Sequence, residues 1–159
     1  MTSPLRIALP DLAATERLAA RLAALARAGD AILLSGPLGA GKSAFARAFL
    51  RAAAADPALE VPSPTFTLVQ GYEMPAGAPF PAAHHFDLYR LGSPDEVEEL
   101  GWDEAREGVV IVEWPERLGP MAPAAALRLR LSPAESPGDE EARVALLEGW
   151  AGRLDGVVG

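Results

Sequence analysis

Cysteine and asparagine are both absent from this 159-residue chain, and lysine occurs once, as Lys42, against 13 arginines. Without cysteine there is no disulfide, no thiol nucleophile and no thiolate metal site, and the redox compartment is left open. Long apolar runs are missing too: no window reaches the ~18 uninterrupted apolar residues of a membrane span. Residues 1–10 (MTSPLRIALP) lack the roughly 7–15-residue apolar core and small-residue cleavage site of a secretory signal, so a cytoplasmic protein is expected. Lys/Arg-rich stretches are also lacking, and the net charge is −8. Such a chain is poorly suited to hold nucleic acid by itself, because that affinity comes largely from neutralised phosphates.

Half of the residues are hydrophobic. At this length folding buries roughly 68–70% of the surface of the unfolded chain, enough for one core without staples, and a single domain over 1–159 is expected. The solitary lysine stands out against the arginine background. A compact point charge on a flexible stem can do what a rigid guanidinium fork cannot.

Hydrophobic spacing predicts a helix over 11–28, from Asp11 through Leu18, Leu22 and Leu25 to Gly29-Asp30. Residues 31–35 (AILLS) read as a strand ending at Gly36, and 43–55 return to helical spacing through Phe45 and Phe49. Residues 65–73 and 83–90 are expected as an antiparallel pair with a long connection. Ser93-Pro94 and the acidic run after it open a helix over 94–107. Residues 109–112 (VVIV) have the continuous apolar character of a strand buried on both faces. Residues 125–131 and 141–147 alternate as a hairpin closed by the Ser-Pro-Gly-acidic stretch, with a short C-terminal helix after it, although 139–154 can also be drawn as a helix. These elements give an α/β fold with a mixed central sheet and flanking helices.

The chemistry concentrates between the second strand and its helix. Gly36-Pro37-Leu38-Gly39-Ala40-Gly41-Lys42-Ser43 matches G-x-x-x-x-G-K-[ST] in the context that the motif requires. Its glycines let consecutive N–H groups turn inward around phosphate, and the following helix aims its positive end at the same point. Lys42 would bridge the β and γ phosphates, and Ser43 would offer a hydroxyl to Mg²⁺. With 15 Gly and 11 Ser plus Thr in the chain, chance places the two glycines and the hydroxyl around the one lysine with a probability of about 0.0006. A phosphate-binding loop is therefore the reading, with Gly36, Leu38, Gly39, Ala40, Gly41, Lys42, Ser43 and Ala44 as its residues.

Four further groups follow it in the sequence. Glu113 closes the VVIV strand, where a carboxylate can meet Mg²⁺ directly or through water, or can simply mark the strand reaching the surface. Trp114 is equally readable as packing or as a nucleotide or partner contact. In His84-His85-Phe86-Asp87-Leu88-Tyr89-Arg90 the adjacent histidines point to opposite faces and cannot share an ion, so zinc is not expected. Period two sets His85, Asp87 and Tyr89 on one face, which is either a solvated strand face or a carboxylate that orients water on a γ-phosphate. Pro62-Ser63-Pro64-Thr65-Phe66 is either a Pro-rich turn or a loop that swings Thr65 towards γ-phosphate and Mg²⁺.

The Asn-Lys-x-Asp motif of guanine-specific P-loop GTPases is missing, the arginines after the loop helix are too scattered for a kinase lid, and the chain is short for a motor ATPase. A small ATPase with an acidic surface remains. GPLGAGKS, SPTFTLVQGYE, HHFDLYRL and VVIVEWPERL, in that order and at those separations, resemble the TsaE (YjeE-type) family of bacterial P-loop ATPases from about Leu9 to Leu118. The resemblance implies an ATP hydrolase with Mg²⁺ that serves tRNA N6-threonylcarbamoyladenosine (t6A) synthesis. Its partners would be TsaD and TsaB homologues, its hydrolysis weak alone and stimulated by them, and tRNA would be reached only through that complex. It also assigns Gly39 to Ser43 to phosphate, Ser43 and Glu113 to Mg²⁺, Thr65 to a switch-like loop and Asp87 to catalysis, and it gives Trp114 a functional role. The family's usual Asp after the first loop glycine and Thr after the lysine are Pro37 and Ser43 here; serine supplies the same hydroxyl. Where family members often carry a Gly/Arg-rich stretch near the nucleotide, this chain has Pro137 to Arg143. Two other functions fit the residues: a small-molecule phosphotransferase using His85, Asp87 and Arg90, and a nucleotide-sensing interaction module. The acidic stretch from Asp95 to Glu107 is a candidate docking face, or a solvated helix face.

Overall fold

The computed structural model describes residues 4–135 and 140–157. Seven strands form one sheet in the order β1-β7-β6-β2-β5-β4-β3. They are β1 (Leu5–Leu9), β2 (Ala31–Ser35), β3 (Val69–Glu73), β4 (Ala82–Asp87), β5 (Val109–Glu113), β6 (Leu127–Pro133) and β7 (Arg143–Glu148). The four central strands, β6, β2, β5 and β4, run parallel, and β3, β7 and β1 pair antiparallel at the margins. The sheet is therefore mixed, as expected.

Helices α1 (Leu12–Leu25) and α2 (Lys42–Ala53) cover one face. Asp11 caps α1 by accepting from the Ala14 N–H at 2.9 Å, which satisfies one of the orphan amides of the first turn. Phe45 and Phe49 sit one helical turn apart on α2, both fully buried, and such burial stabilises by about 1.5–3 kcal/mol for each ring. The other face carries Phe86, Val97, Trp102 and Leu118. β5 is buried along its whole length, which accounts for its unbroken apolar run.

Four sequence readings change. The helix expected over 94–107 is two short ones, α3 (Glu96–Glu99) and α4 (Trp102–Ala105), interrupted at Gly101 with φ +81°. The interruption turns Trp102 inward, edge-on to Phe86 at 5.2 Å, so a packing demand overrides a continuous acidic helix. The strand expected from residue 65 starts at Val69, because Leu68 closes a turn by donating its N–H to the Pro64 carbonyl at 2.7 Å. β1 was not anticipated: Leu5, Ile7 and Leu9 face the helical side while Arg6 and Ala8 are exposed. The hairpin β6/β7 forms, but the turn expected at 136–139 lies outside the described residues, and the C-terminal helix is reduced to a 3₁₀ turn, Leu154–Gly156. Among the described residues no helix is long and apolar enough to cross a membrane.

The two adjacent histidines of β4 do point to opposite faces. His84 lies beside Phe86, its Nδ1 sealed without a partner, and burial pushes its imidazole below the usual value of 6.5. A histidine depressed in the folded state binds its proton more readily when unfolded. Stability is then full above the unfolded pKa and is lost as pH falls below about 6.5 through the lower folded pKa. His84→Gln is expected to flatten the fall in melting temperature between about pH 7 and pH 5. Parallel slopes for the two proteins would contradict this.

Candidate nucleotide site

β2 leaves the sheet at Ser35, and the chain loops through Gly36 to Gly41 into the N-terminus of α2. Gly36 has φ +139°, and a Cβ there would stand 2.1 Å from the Leu131 carbonyl oxygen, so the loop passes over β6 with no room for a side chain. The N-cap residue Gly41 is left-handed and makes no side-chain cap bond, so the first amides of α2 stay open towards the loop. Ala40 packs its methyl into the core and Leu38 is 88% exposed. The loop is thus pinned at Ala40 and bare at its crest.

Lys42 is only 6% exposed. Its Nζ donates to the Gly36 carbonyl at 2.7 Å and lies 4.6 Å from the centre of the Trp114 ring. Trp114 itself is left-handed, φ +59°, a strained conformation for a bulky residue, and its ring lies 4.9 Å from that of Tyr89. The loop's cation is therefore held by a carbonyl and an aromatic face, both of which a phosphate oxygen can replace.

Across the sheet, β4 and β5 are paired so that Asp87 stands opposite Glu113. Asp87 is 7% exposed and accepts two hydrogen bonds at 3.2 Å, one from the Thr65 hydroxyl and one from the Tyr89 N–H. Thr65 in turn shares a 2.7 Å hydrogen bond with Ser63. Glu113 is 4% exposed and its Oε2 meets His85 Nε2 at 2.7 Å. Leu38, Gly39, Gly41 to Ala44, Thr65, Asp87, Glu113 and Trp114 line one cavity of about 330 Å³ together with Ser63, whereas Gly36, Ala40, His85, Tyr89 and Arg90 do not line it. The solvated face considered for His85 and Asp87 is not what forms, since both are buried. Among the described residues, no group of three or more His, Asp and Glu gathers as a metal cage.

Two contributions take their form only in the fold. A second cavity, of about 180 Å³, shares Gly41 and Ala44 with the first and is walled by Leu12, Thr15, Glu141 and Arg143. Arg143 reaches the loop by donating from Nη2 to the Gly39 carbonyl at 3.1 Å, although Pro137 to Arg143 is not the Gly/Arg-rich stretch that family members often carry there. Leu12 is exposed at 55%, a signal that could have been read only with the fold in hand. His85 is the other, a buried partner for the terminal carboxylate of β5.

A glycine loop between a central parallel strand and the open end of a helix, with a carboxylate at the tip of the neighbouring strand, makes this a P-loop NTPase fold. The family model described as "Threonylcarbamoyl adenosine biosynthesis protein TsaE" matches residues 9–143, and the chain belongs to that family. It is similar to proteins named "tRNA threonylcarbamoyladenosine biosynthesis protein TsaE" in several bacteria. That of Rickettsia conorii is 41% identical over 103 residues, which cover 64% of this chain and 56% of the relative. The Streptomyces coelicolor protein is 38% identical over 137 residues, covering 82% of this chain and 90% of the relative. The chain thus matches little more than half the length of the Rickettsia relative but most of the Streptomyces one. Among solved structures, the crystal structure of Bacillus subtilis YdiB superposes with a TM-score of 0.74 at 24% identity, covering 99% of this chain and 93% of that one, a likeness of fold.

Proposed function

We propose that this chain is a Mg-ATP hydrolase that serves t6A modification of tRNA in the cytoplasm, working with TsaD and TsaB homologues and reaching tRNA only through them. The observation that carries the reading is the convergence of Lys42, Ser43, Thr65, Asp87 and Glu113 on one cavity at the head of α2, in a chain of this family. The net charge of −8 supports docking on an RNA-binding complex over gripping RNA directly.

On this reading the amides of Gly39 and of Gly41 to Ala44 receive the phosphates, the Ala40 N–H being held by the Pro37 carbonyl at 3.2 Å, and Lys42 exchanges the Gly36 carbonyl for a phosphate oxygen. The base lies towards Leu12, Thr15, Glu141 and Arg143, in the second cavity that shares Gly41 and Ala44 with the first. The Ser43 hydroxyl and the Glu113 carboxylate fit Mg²⁺, which takes few protein oxygens and keeps phosphate and water as its other ligands. When bound, the cation supplies charge neutralisation at the transferring phosphate. Asp87 orients the attacking water, and Thr65, on a turn that begins in Ser63 and Pro64, exchanges its bond to Asp87 for the γ-phosphate side.

The test is ATP hydrolysis by the purified protein alone and with its organism's TsaB and TsaD homologues, with Lys42→Ala as control. Partner-stimulated, Lys42-dependent hydrolysis is expected. Removal of the charge-assisted phosphate contact should weaken ATP binding about 10–100-fold. Binding without hydrolysis in either setting would discard the hydrolase and favour a nucleotide-sensing module.

A further inference from the structure

We infer that His85 is a positioning residue that fixes one oxygen of Glu113 and so presents the other to the cation site. The inference rests on the Mg-ATP reading above and deepens it. His85 stands opposite Ile111 in the β4/β5 register, and Glu113 is the diagonal neighbour two residues further along β5. A diagonal pair on one face of a sheet is within reach of long side chains. The imidazole spans that diagonal, with Nε2 at 2.7 Å from Oε2, and both side chains are buried.

The location of the ring proton follows from what surrounds the other nitrogen. Nδ1 is sealed from solvent and has no partner. A proton there would be an orphaned buried N–H, the rarest kind of unpaired backbone or side-chain group, and would leave the Nε2 lone pair facing a carboxylate. With the proton on Nε2, a charge-assisted hydrogen bond forms to Glu113 and only a bare acceptor is left behind. The geometry therefore assigns the Nε2–H tautomer.

A single donor is what the position requires. One N–H occupies Oε2 and leaves Oε1 for the cavity that Glu113 lines. A guanidinium would fork across both oxygens, and an apolar ring would leave a buried carboxylate with nothing to hold its rotamer. Partners that orient a metal ligand from behind change metal affinity or activity by about 10–100-fold when removed.

The experiment is equilibrium binding of a non-hydrolysable ATP analogue while Mg²⁺ is titrated, with wild type, His85→Phe and His85→Gln. Phenylalanine fills the ring volume without a donor. Glutamine can place an N–H near the position of Nε2. His85→Phe is expected to raise the Mg²⁺ concentration needed at half-saturation by about 10-fold or more, to leave Mg-free binding within about twofold, and to be largely rescued by His85→Gln. An unchanged Mg²⁺ dependence in His85→Phe, or equal losses in the two variants, would overturn the inference. Should His85→Phe fail to fold, the two-bond ¹H–¹⁵N spectrum of the wild-type imidazole decides: a proton on Nε2 supports the inference and a bare Nε2 overturns it. Wild-type protein with no Mg-dependent nucleotide binding would instead remove the proposed function. Mg-dependent wild type with an indifferent His85→Phe would remove only the role of His85.

Discussion

Asp87→Asn is expected to leave ATP affinity within roughly threefold of wild type while lowering the hydrolysis rate about 10²–10⁴-fold, the usual contribution of a positioned acid–base group. Asparagine has the same shape, and Asp87 sits at the end of β4 with its backbone held on both sides, its own N–H donating to the Leu68 carbonyl at 2.9 Å. Among the described residues the glycine loop makes no hydrogen bond with it. What the substitution removes is one acceptor oxygen, since an amide nitrogen cannot accept from water or from Thr65. Two donors, the Thr65 hydroxyl and the Tyr89 N–H, converge on the carboxylate. The variant satisfies one and turns its amide towards the other, at a cost of about 1 kcal/mol in stability. Isothermal titration with ATP and Mg²⁺, paired with single-turnover hydrolysis, separates the two effects. Equal losses in affinity and rate would make Asp87 part of the pocket's architecture, and an unchanged rate would take it out of the chemistry.

The loop was legible because everything that defines it is contiguous. Strand, glycines and helix occupy residues 31–53, and Lys42 is the chain's one lysine. The partnership of Asp87 and Glu113 was only suggested by the sequence, because it depends on a parallel register between strands joined through two short helices. His85 could be placed on the same strand face as Asp87, but nothing local distinguishes a solvated face from a buried one. Its acceptor belongs to another strand. Arg143 was harder still: β7 arrives beside the loop only because it pairs with β6, itself the parallel neighbour of β2. The break at Gly101 was visible as a residue and not as a conformation, since acidic side chains announce a helical first turn whether or not the helix continues. β1, by contrast, carried a readable alternation in Leu5, Ile7 and Leu9 that drew no strand prediction.

Gly36→Ala is expected to cost more than any other single methyl in the loop. Gly36 and Gly39 both have positive φ, +139° and +79°, so alanine at either strains the backbone. For Gly39 the added Cβ meets nothing within 4 Å, and the cost is the roughly 1–2 kcal/mol of a left-handed L-residue. At Gly36 the Cβ falls 2.1 Å from the Leu131 carbonyl oxygen and 3.1 Å from its carbon. That carbonyl is on β6, which is hydrogen-bonded to β2 on one side and β7 on the other, so it has no flexible end to give way. The loop must move instead, and with it the Gly36 carbonyl that holds Lys42 at 2.7 Å. The expected result for Gly36→Ala is a loss of about 3 kcal/mol or more, which at this size lowers the melting temperature by roughly 6–12 °C. ATP binding should fall below detection, while Gly39→Ala should melt within a few degrees of wild type. Equal melting temperatures for the two variants would mean that the loop can lift off β6 without losing its shape, and the close approach of Gly36 to Leu131 would then not be what fixes the glycine loop.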